Sequence, residues 1–143
     1  EKQIFYIRHA QSTYNNWTKQ SWLHFGWTYA NKPENYNPVL TAEGYRNCQK
    51  QVEELDKETP FSADLIIVSP LTRALQTMKE LRRSKCFQNV KTVISTQLAK
   101  ERLDCPGDIG MPKSVLEKTV EDVDFSYINK ESWWNYVEED KII

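Results

Sequence analysis

Leu65-Ile66-Ile67-Val68-Ser69-Pro70-Leu71-Thr72-Arg73-Ala74-Leu75 is the stretch that decides the fold. Its first four residues form a short apolar run bounded by polar and turn residues, which fits a buried strand. Ser69-Pro70 reads as a helix N-cap followed by proline at the first helical position, where no intrahelical N–H is lost. Leu71, Ala74, Leu75, Met78 and Leu81 then repeat at helical spacing. Arg82, Arg83 and Lys85 follow, carrying the charge sign a helix C-terminus prefers, and read as a solvated end rather than a binding patch. A buried strand passing directly into an amphipathic helix is the repeating unit of an α/β sheet.

The same alternation continues on both sides. Upstream, Thr41 is a helix N-cap with Glu43 in the first turn. Tyr45, Cys48, Val52 and Leu55 share one face of that helix, and Thr59-Pro60 ends it. Ile4-Phe5-Tyr6-Ile7 is a second apolar run of strand length, and Val90–Ser95 a third. From about Trp17 to Val39 the sequence is rich in Trp, Tyr, Asn and Pro without a period, which predicts a long loop with at most short helices. After Glu101 come loops marked by Pro106, Gly107, Gly110 and Pro112, then a short helix near Trp133-Trp134, a pair that reads first as packing. The fold class is therefore α/β: a single three-layer domain over residues 1–143, with a mostly parallel sheet flanked by helices. Glu1 and the apolar run starting at Ile142-Ile143 give both edges a cut appearance, so the expectation is a domain incomplete at its C-terminal end.

Composition narrows the function. Charged residues make up 27 % and aromatics 12 % of the chain, a globular balance. The net charge of −1 offers no overall field for nucleic acid, so an anionic ligand has to be gripped by a local cluster. No segment has the length and apolarity of a membrane span. Cys48, Cys86 and Cys105 have neither metal-ligand spacing nor a paired framework, which points to a reducing, cytoplasmic setting.

In parallel sheets, ligands sit beyond the carboxyl ends of the strands. Arg8-His9, Ser69–Arg73 and Glu101-Arg102 each follow a predicted strand, and the sheet brings all of them to one edge. A neutral imidazole is a competent nucleophile toward phosphorus. Arg8 and Arg73 each offer a permanently charged planar fork to phosphate oxygens. Glu101 is placed to protonate a leaving oxygen. Phosphoryl transfer asks mainly for positioning and charge stabilisation, so this set suffices.

These residues carry a family resemblance. Arg8-His9-Ala10-Gln11-Ser12-Thr13-Tyr14-Asn15 resembles the Arg-His-Gly signature of the histidine phosphatase (phosphoglycerate mutase-like) superfamily, closing on the same asparagine. Asn37–Gly44 is similar to its Pro-x-Leu-Thr-x-x-Gly segment, and Ser69–Thr77 to its second arginine block. Leu98–Arg102 looks like the segment bearing its acid. The resemblance implies a transient phosphohistidine on His9, phosphoryl oxygens gripped by Arg8 and Arg73, a general acid in Glu101, a pocket fixed in part by Asn15, and no metal or other cofactor. It implies a phosphatase acting on a phosphorylated small molecule or phosphoprotein, with a mutase-type phosphotransferase and a silent phosphate-binding scaffold as alternatives. Leu103-Asp104-Cys105-Pro106-Gly107 is unlike the mutase pattern. Ala10 and Gln11 replace the usual Gly and Glu, which predicts a small local adjustment of the backbone. The second histidine that members place after a late strand has no match here, since His24 lies in another block; the expectation is that it follows Ile143.

Other phosphate chemistries fail on spacing. No cysteine is followed six positions later by arginine, and no Walker A run exists. Asp122-Val123-Asp124 lacks the preceding strand an aspartyl-phosphatase motif needs. His24, set among Trp22, Phe25 and Trp27, reads as packed or solvent-facing.

Overall fold

The computed structural model describes residues 2–22, 36–58, 61–101 and 103–135. His24, Phe25, Trp27, Tyr29, Thr59, Pro60, Arg102 and the Ile142-Ile143 run lie outside the described residues, as does the side chain of Trp22. The elements are α1 (Thr13–Trp22), α2 (Ala42–Glu58), β1 (Leu65–Val68), α3 (Thr72–Leu81), β2 (Thr92–Ser95) and α4 (Lys113–Thr119), with short 3-10 turns between them.

β1 and β2 pair in parallel, Leu65 with Thr92 through Val68 with Ser95. This confirms the α/β character and the parallel direction. The register puts Ile66, Val68, Val93 and Ser95 on one face, and this face is covered: Val68, Val93 and Ser95 are all buried. Beneath it lies a single apolar cluster containing Leu71, Leu75, Leu81, Phe87, Leu116, Phe125, Ile128 and Trp133. On the other face Leu65 is 47 % and Ile67 60 % exposed, so among the described residues the sheet carries helices on one side only.

The expected strand at Ile4–Ile7 is not formed. These residues pair with neither strand and are half to nine-tenths exposed, Tyr6 reaching 91 %. An apolar run becomes a strand only when a neighbouring edge satisfies its backbone and a layer covers its side chains. Here Phe5 gains partial cover by stacking on Phe61 with ring centroids 4.2 Å apart, and Phe61 meets Phe87 edge-on.

Three helices depart from the sequence reading: α1, α3 and α4, the last formed where only loops were expected. α1 occupies the start of the stretch expected to be irregular. Its N-terminus is a reciprocal cap: Asn15 N–H donates to Ser12 Oγ at 3.3 Å and Ser12 N–H to Asn15 Oδ1 at 3.0 Å. α3 begins at Thr72, with Leu71 rather than Ser69 in the cap position. Ser69 Oγ instead accepts from Leu71 N–H in a tight turn, and the Thr72 amide donates to Asn37 Oδ1, 35 residues away in sequence. That distant acceptor does the work of a local cap. α2 starts as expected, Gly44 N–H donating to Thr41 Oγ1 at 3.0 Å. Its predicted face is the packed one, with Cys48 buried and Tyr45, Val52 and Leu55 partly so.

Trp133 is fully buried, donates its indole N–H to the Met111 carbonyl and meets Trp134 edge-on. Gly110 is required there, because a Cβ at that position would lie 2.1 Å from the Trp133 ring.

Candidate active site

Arg8, His9, Asn15, Arg73 and Glu101, the residues chosen from sequence, all line one cleft of about 400 Å³. The segment carrying His9 is pinned from two directions although it lacks strand pairing. Ala10 N–H donates to Thr77 Oγ1 at 3.0 Å, and that hydroxyl donates back to the Arg73 carbonyl within α3. Thr41 donates its N–H to the Gln11 carbonyl and its hydroxyl to Gln11 Oε1 at 2.7 Å. Gly44 lets α2 come this close, since a Cβ there would stand 2.3 Å from the Gln11 carbonyl oxygen. The threonine and glycine of this segment therefore position the residues beside the histidine. Ala10 does not take a positive φ: among the described residues the non-glycine positions that do are Asn37 and Asp122.

His9 is half-buried, and its Nδ1 lies 2.8 Å from the Ala10 carbonyl oxygen. A carbonyl only accepts, so Nδ1 carries the proton and Nε2 the lone pair. Arg73 Nε donates to that Nε2 at 3.1 Å. Burial pushes the imidazole below its ordinary titration range; the Ala10 carbonyl opposes this, Arg73 and Arg8 add to it, and Glu101 counters them. The ring is thereby kept neutral, with its Nε2 lone pair engaged by Arg73 at the wall of the cleft.

Arg73 projects from the first turn of α3 and is 4 % exposed. Besides His9, it donates from Nη1 to the Gly107 carbonyl at 2.6 Å and from Nη2 to Glu101 at 3.2 Å and Asp108 at 3.1 Å. Glu101 is 56 % exposed at the side chain, and its other carboxylate oxygen stands 3.8 Å from His9 Nε2. Arg8 lies exposed at the rim. Asn15 commits its Oδ1 to Ser12, so the donor end of its amide is what it offers the cleft.

Ser12, Tyr14, Asp104, Cys105 and Asp108 complete the lining. None was singled out from sequence for the site. Burial, then a hydrogen bond with Cys105, pushes the Tyr14 phenol up to about 12. Cys105 is likewise raised, chiefly by burial. The three cysteines are free, and among the described residues no three His, Cys, Asp or Glu side chains are grouped to hold a metal ion. No helix among the described residues is long and apolar enough to cross a membrane.

Fold and cleft together define an α/β domain in which a pinned loop sets an unprotonated imidazole nitrogen against a guanidinium buried at the start of α3. A family model of the histidine phosphatase superfamily (branch 1) matches residues 4–98, more than half of the chain, and the protein belongs to that superfamily. The matched span includes Arg8, His9, Asn15 and Arg73; Glu101 falls just beyond it. No curated protein and no solved structure matched the chain. Membership makes this a phosphoryl-transfer domain of a family that binds phosphorylated substrates.

Proposed function

We propose that the protein is a metal-independent phosphatase that hydrolyses phosphate monoesters through a phosphohistidine on His9. The observation that carries this reading is the His9 tautomer: Nδ1 is bound to the Ala10 carbonyl, and Nε2 stands free of a proton 3.1 Å from Arg73. In the first step the Arg73 Nε–H hydrogen bond passes from Nε2 to a phosphoryl oxygen, the freed Nε2 attacks phosphorus, the P–O bond to the leaving alcohol breaks, and Glu101 gives its proton to the departing oxygen. In the second step water attacks the phosphohistidine, the P–N bond breaks, inorganic phosphate leaves, and Glu101 recovers the proton from that water. Arg73 and Arg8 stabilise charge on the transferring oxygens, and Asn15 adds a donor. The substrate is a phosphorylated small molecule or a phosphoprotein. Three free cysteines support a reducing, cytoplasmic location.

Turnover of p-nitrophenyl phosphate in the presence of a strong chelator tests the reading, together with rapid quenching to trap an acid-labile, base-stable phosphoenzyme. Wild type turns over and His9→Ala does not. Absence of turnover, or turnover that survives His9→Ala, sinks the proposal. Isomerisation of a phosphoglycerate faster than phosphate release would reassign the protein to phosphotransfer between substrate positions.

A further inference from the structure

Arg73 is held against His9 by one face of a tight turn at residues 105–108. Asp108 is 6 % exposed and divides its carboxylate between two tasks. Oδ1 accepts from Arg73 Nη2 at 3.1 Å. Oδ2 accepts from the Asp104 amide at 3.2 Å, the Cys105 amide at 3.1 Å and the Cys105 thiol at 3.2 Å. The neighbouring Gly107 carbonyl takes Nη1 of the same guanidinium. A planar fork held at Nη1 and on one side of Nη2 is restrained in one plane, and its remaining edge, Nε and the other side of Nη2, faces His9 and Glu101.

We propose that Asp108 is the positioning residue of the site: it aims Arg73 at His9 and at the incoming phosphoryl group without touching the substrate. The proposal rests on the phosphoryl-transfer reading of the cleft. Two carboxylates share Arg73, and they are not equivalent. Glu101 is more than half exposed and able to swing out when a phosphate oxygen competes for Nη2, whereas Asp108 is buried and tied to its own turn. Only an aspartate accepts at both oxygens from this distance. Asparagine offers one acceptor, so it satisfies either Arg73 or the turn amides; alanine satisfies neither.

The test pairs D108N and D108A and reads kcat/KM and, separately, the NMR titration of the His9 ring. The chain has two histidines, His9 and His24, so His24→Gln assigns the signals. A misplacement on the ångström scale costs on the order of 100-fold in rate, so D108A loses about 100-fold in kcat/KM and D108N about tenfold. The groups facing His9 are Arg73, Arg8 and Glu101. Release of Arg73 removes a positive neighbour, and the His9 titration moves upward in D108A. A purely structural role leaves that titration where it is. The proposal is overturned if folded D108A keeps wild-type kcat/KM, or loses it with the His9 titration unmoved. Should D108A fail to fold, a D108N enzyme within twofold of wild type overturns it. If wild type itself shows no turnover, the phosphatase reading falls, and the His9 titration alone decides on Asp108.

Discussion

Arg73 is 4 % exposed and spends its guanidinium on His9, Gly107, Glu101 and Asp108, whereas Arg8 lies exposed at the rim of the same cleft. The sequence treats them alike, one arginine near the end of each of two apolar runs. Their settings explain the difference. Arg73 belongs to a helix turn packed beneath a sheet, with a carboxylate and a carbonyl already placed around it. Arg8 belongs to a segment that never joins the sheet and whose backbone hydrogen bonds to the other described residues begin at Ala10. A preorganised donor needs no reorganisation when charge develops. An exposed arginine must be ordered by its ligand, at a cost of up to about 2 kcal/mol in side-chain entropy.

The contrast breaks first at Arg73. Arg73→Ala removes the buried donor and strands Asp108 without its counter-charge; kcat/KM falls by about a thousandfold, and denaturant unfolding shows a loss of about 3–5 kcal/mol. Wild-type stability in that variant means that Asp108 and Arg73 are not the coupled pair described here. Arg8→Ala acts more mildly. KM rises about tenfold and stability stays within about 0.5 kcal/mol. Added salt weakens wild-type substrate binding through Arg8 far more than through Arg73, because exposed charges are screened and buried ones are not; a variant lacking Arg8 with undiminished salt sensitivity removes the distinction.

The smallest effect is in pH. His9 titrates below its ordinary 6.5, so the unfolded chain binds more protons in the interval under that value. The neutral ring's contribution to stability is present above pH 6.5 and is lost as pH falls through the interval. The acid limb of kcat/KM tracks the same group and lies below 6.5; a limb at or above that value contradicts the burial seen here.

Much of the frame was legible in the chain. Thr41-Ala42-Glu43-Gly44 announced α2, and the period of Tyr45, Cys48, Val52 and Leu55 gave its buried face. Leu65–Val68 and Thr92–Ser95 formed the strands expected of them. The apolar run at Ile4–Ile7 shows the limit, because apolar character records a tendency and pairing requires an edge and a cover. α1 was hidden by an asparagine in the box position more often held by Glu or Gln. α4 was hidden by its own brevity, with Leu116 its one buried residue. At the site, sequence named the groups able to meet a phosphate. It did not name Asp108, since a carboxylate that meets an arginine 35 positions away leaves no local pattern.

Tyr14 has an optical consequence. Its ring lines the cleft with its centroid 5.6 Å from that of Trp17, and burial raises its phenol to about 12. At that separation the phenol is an energy donor to the adjacent indole. An ion with no colour of its own, on entering the cleft, alters the surroundings of the donor of that pair. The chain holds seven tyrosines and five tryptophans, so comparison with Trp17→Phe isolates this pair's share of any change in emission on adding phosphate.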